Sequence, residues 1–397
     1  LMARPLVIGL AESGVASLPA VLRDRLAGMD LVVAAPRFRK GLPDGPETID
    51  WPSPFSNIFT VLSNNADKSV ALLTTGDPMW YGAGASLVRE LGPDGCEVIP
   101  AVSGLQHAAA RLGWPMAGCR VVSIHGRPVS SLVSALHPRA RLLVIAQDGG
   151  NPMAVAKLLA ARGYGAARMH VLAHLGGSDE ERIDGTADSW THNRVADFHI
   201  IGIECPDAGP VPHGLAAPDS SFDNDGKLTK RDARASALAK LAPFPGAVLW
   251  DVGSGSGAVA VDFLRNASRG IAYAIDRDKA QLDRGSVNAE RHGVLGFKSI
   301  SGDAAEQTAS LPRPDAVFIG GGISELVINV AQAALRPGGC LVGHAVTIES
   351  ESVMIAAWQR AGGDLLRLSV QYADPVGGFH GWRPQMPVTQ WCWHKQE

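Results

Sequence analysis

Short apolar runs separated by amphipathic stretches recur along almost the whole chain. Leu6–Leu10, Asp30–Ala35 and Ser69–Leu73 have the length and the continuous hydrophobicity of strands buried on both faces. Further runs stand at Val121–Ile124, Leu142–Ile145, Met169–Leu172 and His199–Ile203. Between them, apolar residues recur at helical spacing over Ser17–Leu26, Gly104–Leu112 and Met153–Ala161. Pro19 suits a first helical turn, and Arg162-Gly163 closes the last of these helices. The alternation restarts with a helix over Lys230–Leu241, then strands at Val248–Val252, Ile271–Ile275, Ala316–Ile319 and Gly339–His344. Such alternation predicts an α/β chain with parallel sheets covered on both faces. From Leu365 to Trp393 the helical period fades, which predicts closing antiparallel strands.

The pattern breaks where Pro206, Pro210 and Pro212 fall within seven residues, followed by the polar stretch Asp219–Gly226. That composition sustains neither helix nor sheet and reads as a linker over 208–226. It divides a first unit, 1–207, from a second, 227–397. A second break near Pro100–Ser103 splits the first unit into lobes of about 1–101 and 102–207. At 397 residues the chain is too long for one ordinary core, so the division is expected on size as well.

Charge and composition remove several classes of function. A formal charge of −3, with Lys and Arg spread singly, gives no basic face for nucleic acid. No apolar run approaches the roughly 18 residues of a membrane span. The N-terminal residues carry no signal-peptide pattern, which makes a cytoplasmic location the expectation. Five dispersed cysteines without a C-x-x-C or Cys/His cluster read as small hydrophobes in a reducing compartment, and no metal site is expected.

The run Leu249-Trp-Asp-Val-Gly-Ser-Gly-Ser-Gly257 carries the most chemistry. Apolar residues lead to Asp251, and Gly253, Gly255 and Gly257 then alternate with Ser254 and Ser256. A strand that must turn sharply under a ligand needs glycine there, for positive φ and for close approach of the main chain. Ala258 stands where a dinucleotide-binding G-x-G-x-x-G turn places its third glycine. An acid beside such a bend suits a cationic amino-acid ligand better than a pyrophosphate, which points to S-adenosylmethionine. Asp276 ends the next strand about 20 residues on, where an acid can accept both hydroxyls of a ribose. The bland alternative for Asp276 is a helix cap.

Other runs are more ambiguous. Gly302-Asp-Ala304 follows the next strand, either as a plain turn or beside an adenine, and Thr229 reads as the N-cap of the helix that follows. Gly320, Gly321 and Gly322 end a strand and would let a ligand approach the backbone. In the first unit Thr75-Gly-Asp-Pro-Met-Trp-Tyr-Gly82 holds Asp77 rigidly at a strand end, and Ser103 is placed to cap the next helix. Phe379, His380, Trp382 and Arg383 lie among glycines and prolines, as in a substrate-facing loop, whereas Trp391 and Trp393 read as packing residues.

Taken together, several of these runs resemble one family over nearly the whole length. They are Thr74–Gly82, Pro100–Gln106, Ala110–Pro115, Arg182–Thr186, Gly226–Arg231, Leu249–Gly257, Pro314–Gly322 and Gly381–Gln390. The chain is similar to the fused precorrin-6Y C5,15-methyltransferases (decarboxylating) of cobalamin biosynthesis. The resemblance implies an N-terminal two-lobed tetrapyrrole methylase fold followed by a C-terminal Rossmann-like class I methyltransferase domain. It implies methylation of a corrin precursor at C5 by the first and at C15 by the second, with loss of the carboxyl of the C12 acetate. S-adenosylmethionine would then bind at two sites. Thr229, Gly253, Ser254, Gly255, Ser256, Gly257, Asp276 and Ala304 would hold it in the second unit, and Asp77, Tyr81 and Ser103 in the first. Gly320, Gly321, Gly322, Arg231, Arg336, His380 and Arg383 are the candidate substrate contacts, the arginines as clamps for carboxylates. The expected assembly is a homo-oligomer, with a tetramer through the C-terminal domain as the candidate.

The chain departs from the family pattern at Gly9-Leu-Ala-Glu-Ser-Gly14, at Ala34-Ala-Pro-Arg37 and at His344, where asparagine is expected. No catalytic triad or carboxylate pair stands out, in keeping with methyl transfer to an electron-rich carbon. Alignment in a dry pocket is the main demand of that reaction, and orientation can contribute roughly 7–11 kcal/mol. A nicotinamide-dependent oxidoreductase, an RNA methyltransferase and a catalytically idle scaffold are the rival readings. The missing third glycine opposes the first, and the absent basic face opposes the second.

Overall fold

The computed structural model describes residues 4–396. Two compact units partition it, the first extending to Pro210 and the second taking Val211 onward together with Ser130–Ser134.

The first unit contains two five-stranded sheets. Strands β1 (Leu6–Leu10), β2 (Leu31–Val33), β3 (Glu47–Ile49), β4 (Val70–Thr75) and β5 (Glu97–Ile99) pair in the order β3-β2-β4-β1-β5, all parallel. Their apolar runs are continuous because alternate residues feed two cores. Leu6, Ile8 and Leu10 enter one core with Ala71 and Leu73, while Val7 enters the other with Val70 and Leu72. The second sheet comprises β6 (Arg120–Ser123), β7 (Arg141–Ile145), β8 (Arg168–Ala173), β9 (Glu181–Thr186) and β10 (His199–Glu204). Its order is β6-β7-β10-β8-β9, parallel at β6/β7 and antiparallel elsewhere. Strands β3, β5 and β9 have no counterpart in the sequence expectation. The first two span three residues each, and β9 is a polar, largely exposed edge, so none carries a buried apolar run.

The second unit is built on one seven-stranded sheet. Its strands are β11 (Val248–Val252), β12 (Ile271–Asp276), β13 (Phe297–Ser301), β14 (Ala316–Ile319), β15 (Cys340–Ala345), β16 (Asp364–Leu368) and, after a two-stranded hairpin of β17 (Gln371–Val376) and β18 (Phe379–Pro384), β19 (Val388–His394). The order β13-β12-β11-β14-β15-β19-β16 reverses direction beside β11, which creates a switch point between β11 and β14. The strands β11 to β15 are parallel, and β19 runs antiparallel between β15 and β16.

The stretch expected to be a linker packs instead. Ala216, Ala217 and Phe222 are buried in the second unit's core beside Leu238 and Phe263. The cause is a buried cation. Arg234 is fully buried, with Nε 2.6 Å from Asp262 Oδ2, Nη1 3.1 Å from Asp219 Oδ1 and Nη2 2.5 Å from the Ala217 carbonyl. Its guanidinium also lies 4.9 Å from the Phe222 ring centroid. Proline and glycine prevented regular secondary structure here but not burial.

Candidate active site

The bend after β11 is a main-chain cradle. Gly253, Gly255 and Gly257 have φ of +65°, +54° and +76°. A Cβ on Gly253 would come within 2.6 Å of the Gly321 backbone, so the β11 bend and the Gly320–Gly322 bend after β14 pack main chain on main chain. A Cβ on Gly255 would meet nothing within 4 Å, because that residue faces open space. The space is a cavity of about 280 Å³ lined by Gly253, Ser254, Gly255, Ser256, Thr229, Asp276, Gln281 and Gly320 among others. It lies at the C-terminal ends of β11, β12 and β14, where open parallel sheets hold ligands.

Asp276 is placed as expected, at the end of β12. Its Oδ2 accepts the Gly255 N–H at 2.8 Å and its Oδ1 accepts the Asp278 N–H at 2.9 Å. Each oxygen has room for a further hydrogen bond, and Asp276 lines the cavity, so the carboxylate braces the bend and can also accept hydroxyls. Asp251 behaves differently. It is buried beneath the bend and is not part of the cavity wall, so the amino-group contact read from the sequence is not made by its side chain. Its Oδ2 accepts the Ala260 N–H at 3.1 Å, while among the described residues Oδ1 and the nearby Ser254 hydroxyl lie buried without a well-formed hydrogen bond. Burial raises the Asp251 carboxyl to about 7, against the opposing pull of the Ala260 N–H, and the charge of Asp276 adds to the rise.

Thr229 lines the cavity but does not cap the helix, which runs over Arg231–Leu241 with Lys230 at its N-cap. Its carbonyl is bound by buried Arg234, and this holds the Leu228-Thr229 segment against the cavity. Ala304 begins the helix Ala304–Gln307, capped by Asp303, and lies outside the cavity lining. Asp303 instead pairs with Arg277, so the acid of the Gly-Asp turn is engaged by a side chain.

A second cavity of about 520 Å³ shares Lys227, Leu228, Thr229 and Gly320 with the first. Its wall is largely apolar, with Ile323, Val346, Leu368, Val370, Met386 and Val388, and Gly321 lies on it. Buried His344 is also on this wall. Its Nε2 is 2.9 Å from Gln390 Oε1. The amide oxygen only accepts, so Nε2 carries the hydrogen and Nδ1 a lone pair. Burial pushes the imidazole down to about 4, and the ring is neutral at neutral pH. The Phe318 ring meets it edge to face at 5.0 Å.

The arginines nominated as clamps are not on this wall. Arg336 pairs with Asp315 at 3.7 Å, where β14 and β15 begin, at the opposite edge of the sheet from the glycine bends. Arg231 donates to the Ala216 carbonyl at 3.1 Å. His380 and Arg383 lie on β18, with Arg383 paired to Asp374 of β17 at 2.8 Å, so the expected substrate loop is a hairpin. Gly322, at φ +67°, completes the turn after β14 without lining either cavity. The cations on the cavity rim are Lys227 and Lys230. Both stand in Gly226-Lys-Leu-Thr-Lys-Arg231, the run that holds the expected Arg231.

In the first unit, the C-terminal ends of β1, β4 and β5 converge. A Cβ on Gly9 would come 2.3 Å from the Gly76 carbonyl and 2.9 Å from Ala101. Asp77 Oδ1 accepts the Met79 N–H at 2.8 Å, and exposed Tyr81 has φ +56°. Ser103 is the N-cap of Gly104–Leu112, its N–H and hydroxyl both donating to Gln106 Oε1 at 2.6 and 2.7 Å. The departures found in the sequence are occupied by charge. Glu12, in the loop after β1, lies 3.1 Å from His174 Nδ1, and its Oε2 is buried without a partner among the described residues. Arg37 reaches Thr75 and lies 4.7 and 4.3 Å from the Phe38 and Phe198 ring centroids. The Glu12, His174 and Arg37 group was invisible in the sequence, because its members come from both lobes.

A switch-point cavity under an acidic, glycine-built bend, in a sheet closed by one antiparallel strand, defines the second unit as a class I methyltransferase domain. Comparisons with known proteins agree. Residues 220–395 match the family model described as a precorrin methyltransferase domain, and residues 56–190 match the tetrapyrrole (corrin/porphyrin) methylases. The precorrin-6Y C(5,15)-methyltransferase [decarboxylating] of Sinorhizobium sp is 37% identical over 396 residues, 98% of this chain and 96% of that protein. That of Mycobacterium tuberculosis (strain CDC 1551 / Oshkosh) is 36% identical, over 97% and 98%. The solved C-terminal domain of precorrin-6Y C5,15-methyltransferase from Rhodobacter capsulatus is 36% identical and covers 46% of this chain and 100% of its own, with a TM-score of 0.44. The chain belongs to the precorrin-6Y C5,15-methyltransferase (decarboxylating) family.

Proposed function

We propose that this chain methylates the corrin precursor precorrin-6B at C5 through its first unit and at C15 through its second. The second unit also removes the carboxyl of the C12 acetate, and the product is precorrin-8X. The observation that carries this reading is the pair of adjoining cavities in the second unit, one polar and glycine-walled, the other larger and apolar, meeting at Thr229 and Gly320.

The residues of the smaller cavity fit S-adenosylmethionine. Gly255 leaves room at the bend, Asp276 offers acceptors suited to a ribose, and acidic surroundings favour a cation. When bound, S-adenosylmethionine supplies an electrophilic methyl group on a sulfonium sulfur. A second donor site in the first unit belongs to the same reading, supported by Glu12 and Asp77 at the ends of parallel strands.

The larger cavity would hold the macrocycle. Its apolar wall excludes water, which leaves orientation as the chief contribution of the protein. Lys227 and Lys230 on the rim suit the peripheral carboxylates. Neutral His344 offers a proton acceptor or hydrogen-bond partner whose orientation Gln390 sets. Loss of CO2 leaves an electron pair on the former acetate carbon, which the conjugated ring absorbs until a proton arrives.

A homo-oligomer formed through the second unit, and no role for nucleic acid, complete the proposal. Phe379, Trp382 and Met386, 81%, 72% and 70% exposed around the hairpin, support self-association. Among the described residues no helix is long and apolar enough to cross a membrane. The test is mass spectrometry of the product formed from precorrin-6B and S-adenosylmethionine. The full chain should add two methyl groups and release one CO2. The full chain carrying Gly255→Asp should add one methyl and keep the carboxyl. Loss of CO2 by that variant, or a wild-type chain that adds no methyl, overturns the assignment.

A further inference from the structure

Away from both cavities, the fold gathers three soft or borderline donors, one on β15 and two on β19, from positions 52 and more residues apart in sequence. Cys340 on β15 and Cys392 on β19 have Sγ atoms 3.5 Å apart, and Cys392 Sγ is 3.6 Å from His394 Nε2. All three donor atoms lie within 4.8 Å of one another. Both cysteines are buried and His394 is exposed. Strand geometry explains the convergence. Cys340 faces His394 across the ladder, and Cys392 and His394 are two residues apart, so the three share one face of the sheet.

The spacing matches a tetrahedral ion. Zinc at about 2.3 Å from sulfur and about 2.0 Å from nitrogen requires S···S near 3.8 Å and S···N near 3.5 Å. The two distances at Cys392, 3.5 and 3.6 Å, differ from these by a few tenths of an ångström, and the third pair lies within 4.8 Å. Two thiolates would neutralise a divalent ion inside the core, whereas carboxylate or water donors would suit magnesium or calcium.

We infer that Cys340, Cys392 and His394 form a site for a thiophilic divalent cation of the zinc class, with a solvent molecule as fourth ligand on the exposed side. Binding releases one proton from each thiol. The ion would pin β19 to β15 in the register that also sets His344 opposite Gln390, four residues along β15 on the same face. A slip of one residue would turn every one of these side chains to the other face.

The test uses the reduced full chain, stripped with a chelator and titrated with Zn2+ and, separately, Co2+. One zinc per chain should bind, and Co2+ should give thiolate-to-metal charge-transfer absorption. Cys392→Ala and Cys340→Ala should lose both signals. His394→Gln, at an exposed position that cannot unfold the core, should weaken zinc by more than the roughly 100-fold that losing an outer-shell partner costs. Zinc uptake equal in wild type and His394→Gln, Co2+ spectra without a thiolate band, or no uptake by the reduced wild-type chain each overturn the site.

Discussion

Arg234 and Asp262 form an ion pair with both side chains fully buried, Nε to Oδ2 at 2.6 Å. The pair also holds the cavity-lining segment, since Arg234 binds the Thr229 and Ala217 carbonyls while Asp262 accepts the Ala217 N–H. Breaking a buried pair by removing one partner costs about 3–5 kcal/mol, because the other charge stays buried. Arg234→Met should destabilise the second unit by that amount in urea unfolding. Arg234→Lys should fall between, because a point charge cannot replace the fork. A loss under 1 kcal/mol for Arg234→Met would refute this role.

Gly253 and Gly255 should respond differently to alanine. Both pay for positive φ, about 1–2 kcal/mol. Gly253→Ala also drives a Cβ onto the Gly321 backbone, so it should lower the melting temperature as well as abolish ligand binding. Gly255→Ala points into open space and should weaken S-adenosylhomocysteine binding with a much smaller thermal penalty. Calorimetric titration and thermal melts of the two variants separate the cases.

Asp276→Ala should weaken S-adenosylhomocysteine at the second unit by roughly 10- to 100-fold. This follows from about 1.5–3 kcal/mol for a hydrogen bond to a charged group. Asp276→Asn keeps an acceptor and should lose less. Equal affinity in Asp276→Ala and wild type, by calorimetry, would rule out a ribose contact.

His344 and His292 are both pushed down to about 4, chiefly by burial. An unfolded histidine titrates near 6.5, so between pH 6.5 and 4 the unfolded chain binds more protons. Each histidine therefore contributes stability that is full above 6.5 and is lost as pH falls toward 4, by roughly 3 kcal/mol apiece. Asp251, raised to about 7, acts in the opposite sense, losing stability as pH rises through the same window. Comparing urea midpoints of wild type and His344→Gln at pH 7.5 and 5 isolates one histidine. The variant should be the less acid-sensitive, and parallel pH profiles would contradict the assignment.

His344→Phe should leave S-adenosylhomocysteine affinity unchanged, because His344 lines only the larger of the two cavities. It should lower C15 methylation or decarboxylation in single-turnover assays with precorrin-6B. A variant with wild-type turnover would remove His344 from the reaction.

The alternation of strands and helices, the acidic glycine bend and Asp276 at the end of β12 were legible in the sequence. Each is a local signal. Burial on both faces writes itself as a continuous apolar run, and a turn that needs positive φ writes itself as glycine. The burial of Ala216–Phe222 was not legible, since proline and glycine report backbone regularity and Arg234, which draws that segment inward, lies on a helix beyond it. Which cations line the cavity was not legible for a related reason. Charge type is visible in a sequence, but whether Arg336 or Lys230 faces the cavity depends on which edge of the sheet each reaches.

The chain's local chemistry thus determined its class of fold, the glycine turn that walls the smaller cavity, and the family. Tertiary structure alone decided the rest. His344 meets Gln390 across 46 residues and Cys340 meets Cys392 across 52. Only the pairing of β15 with β19 sets those registers, and no periodicity within either strand encodes its partner.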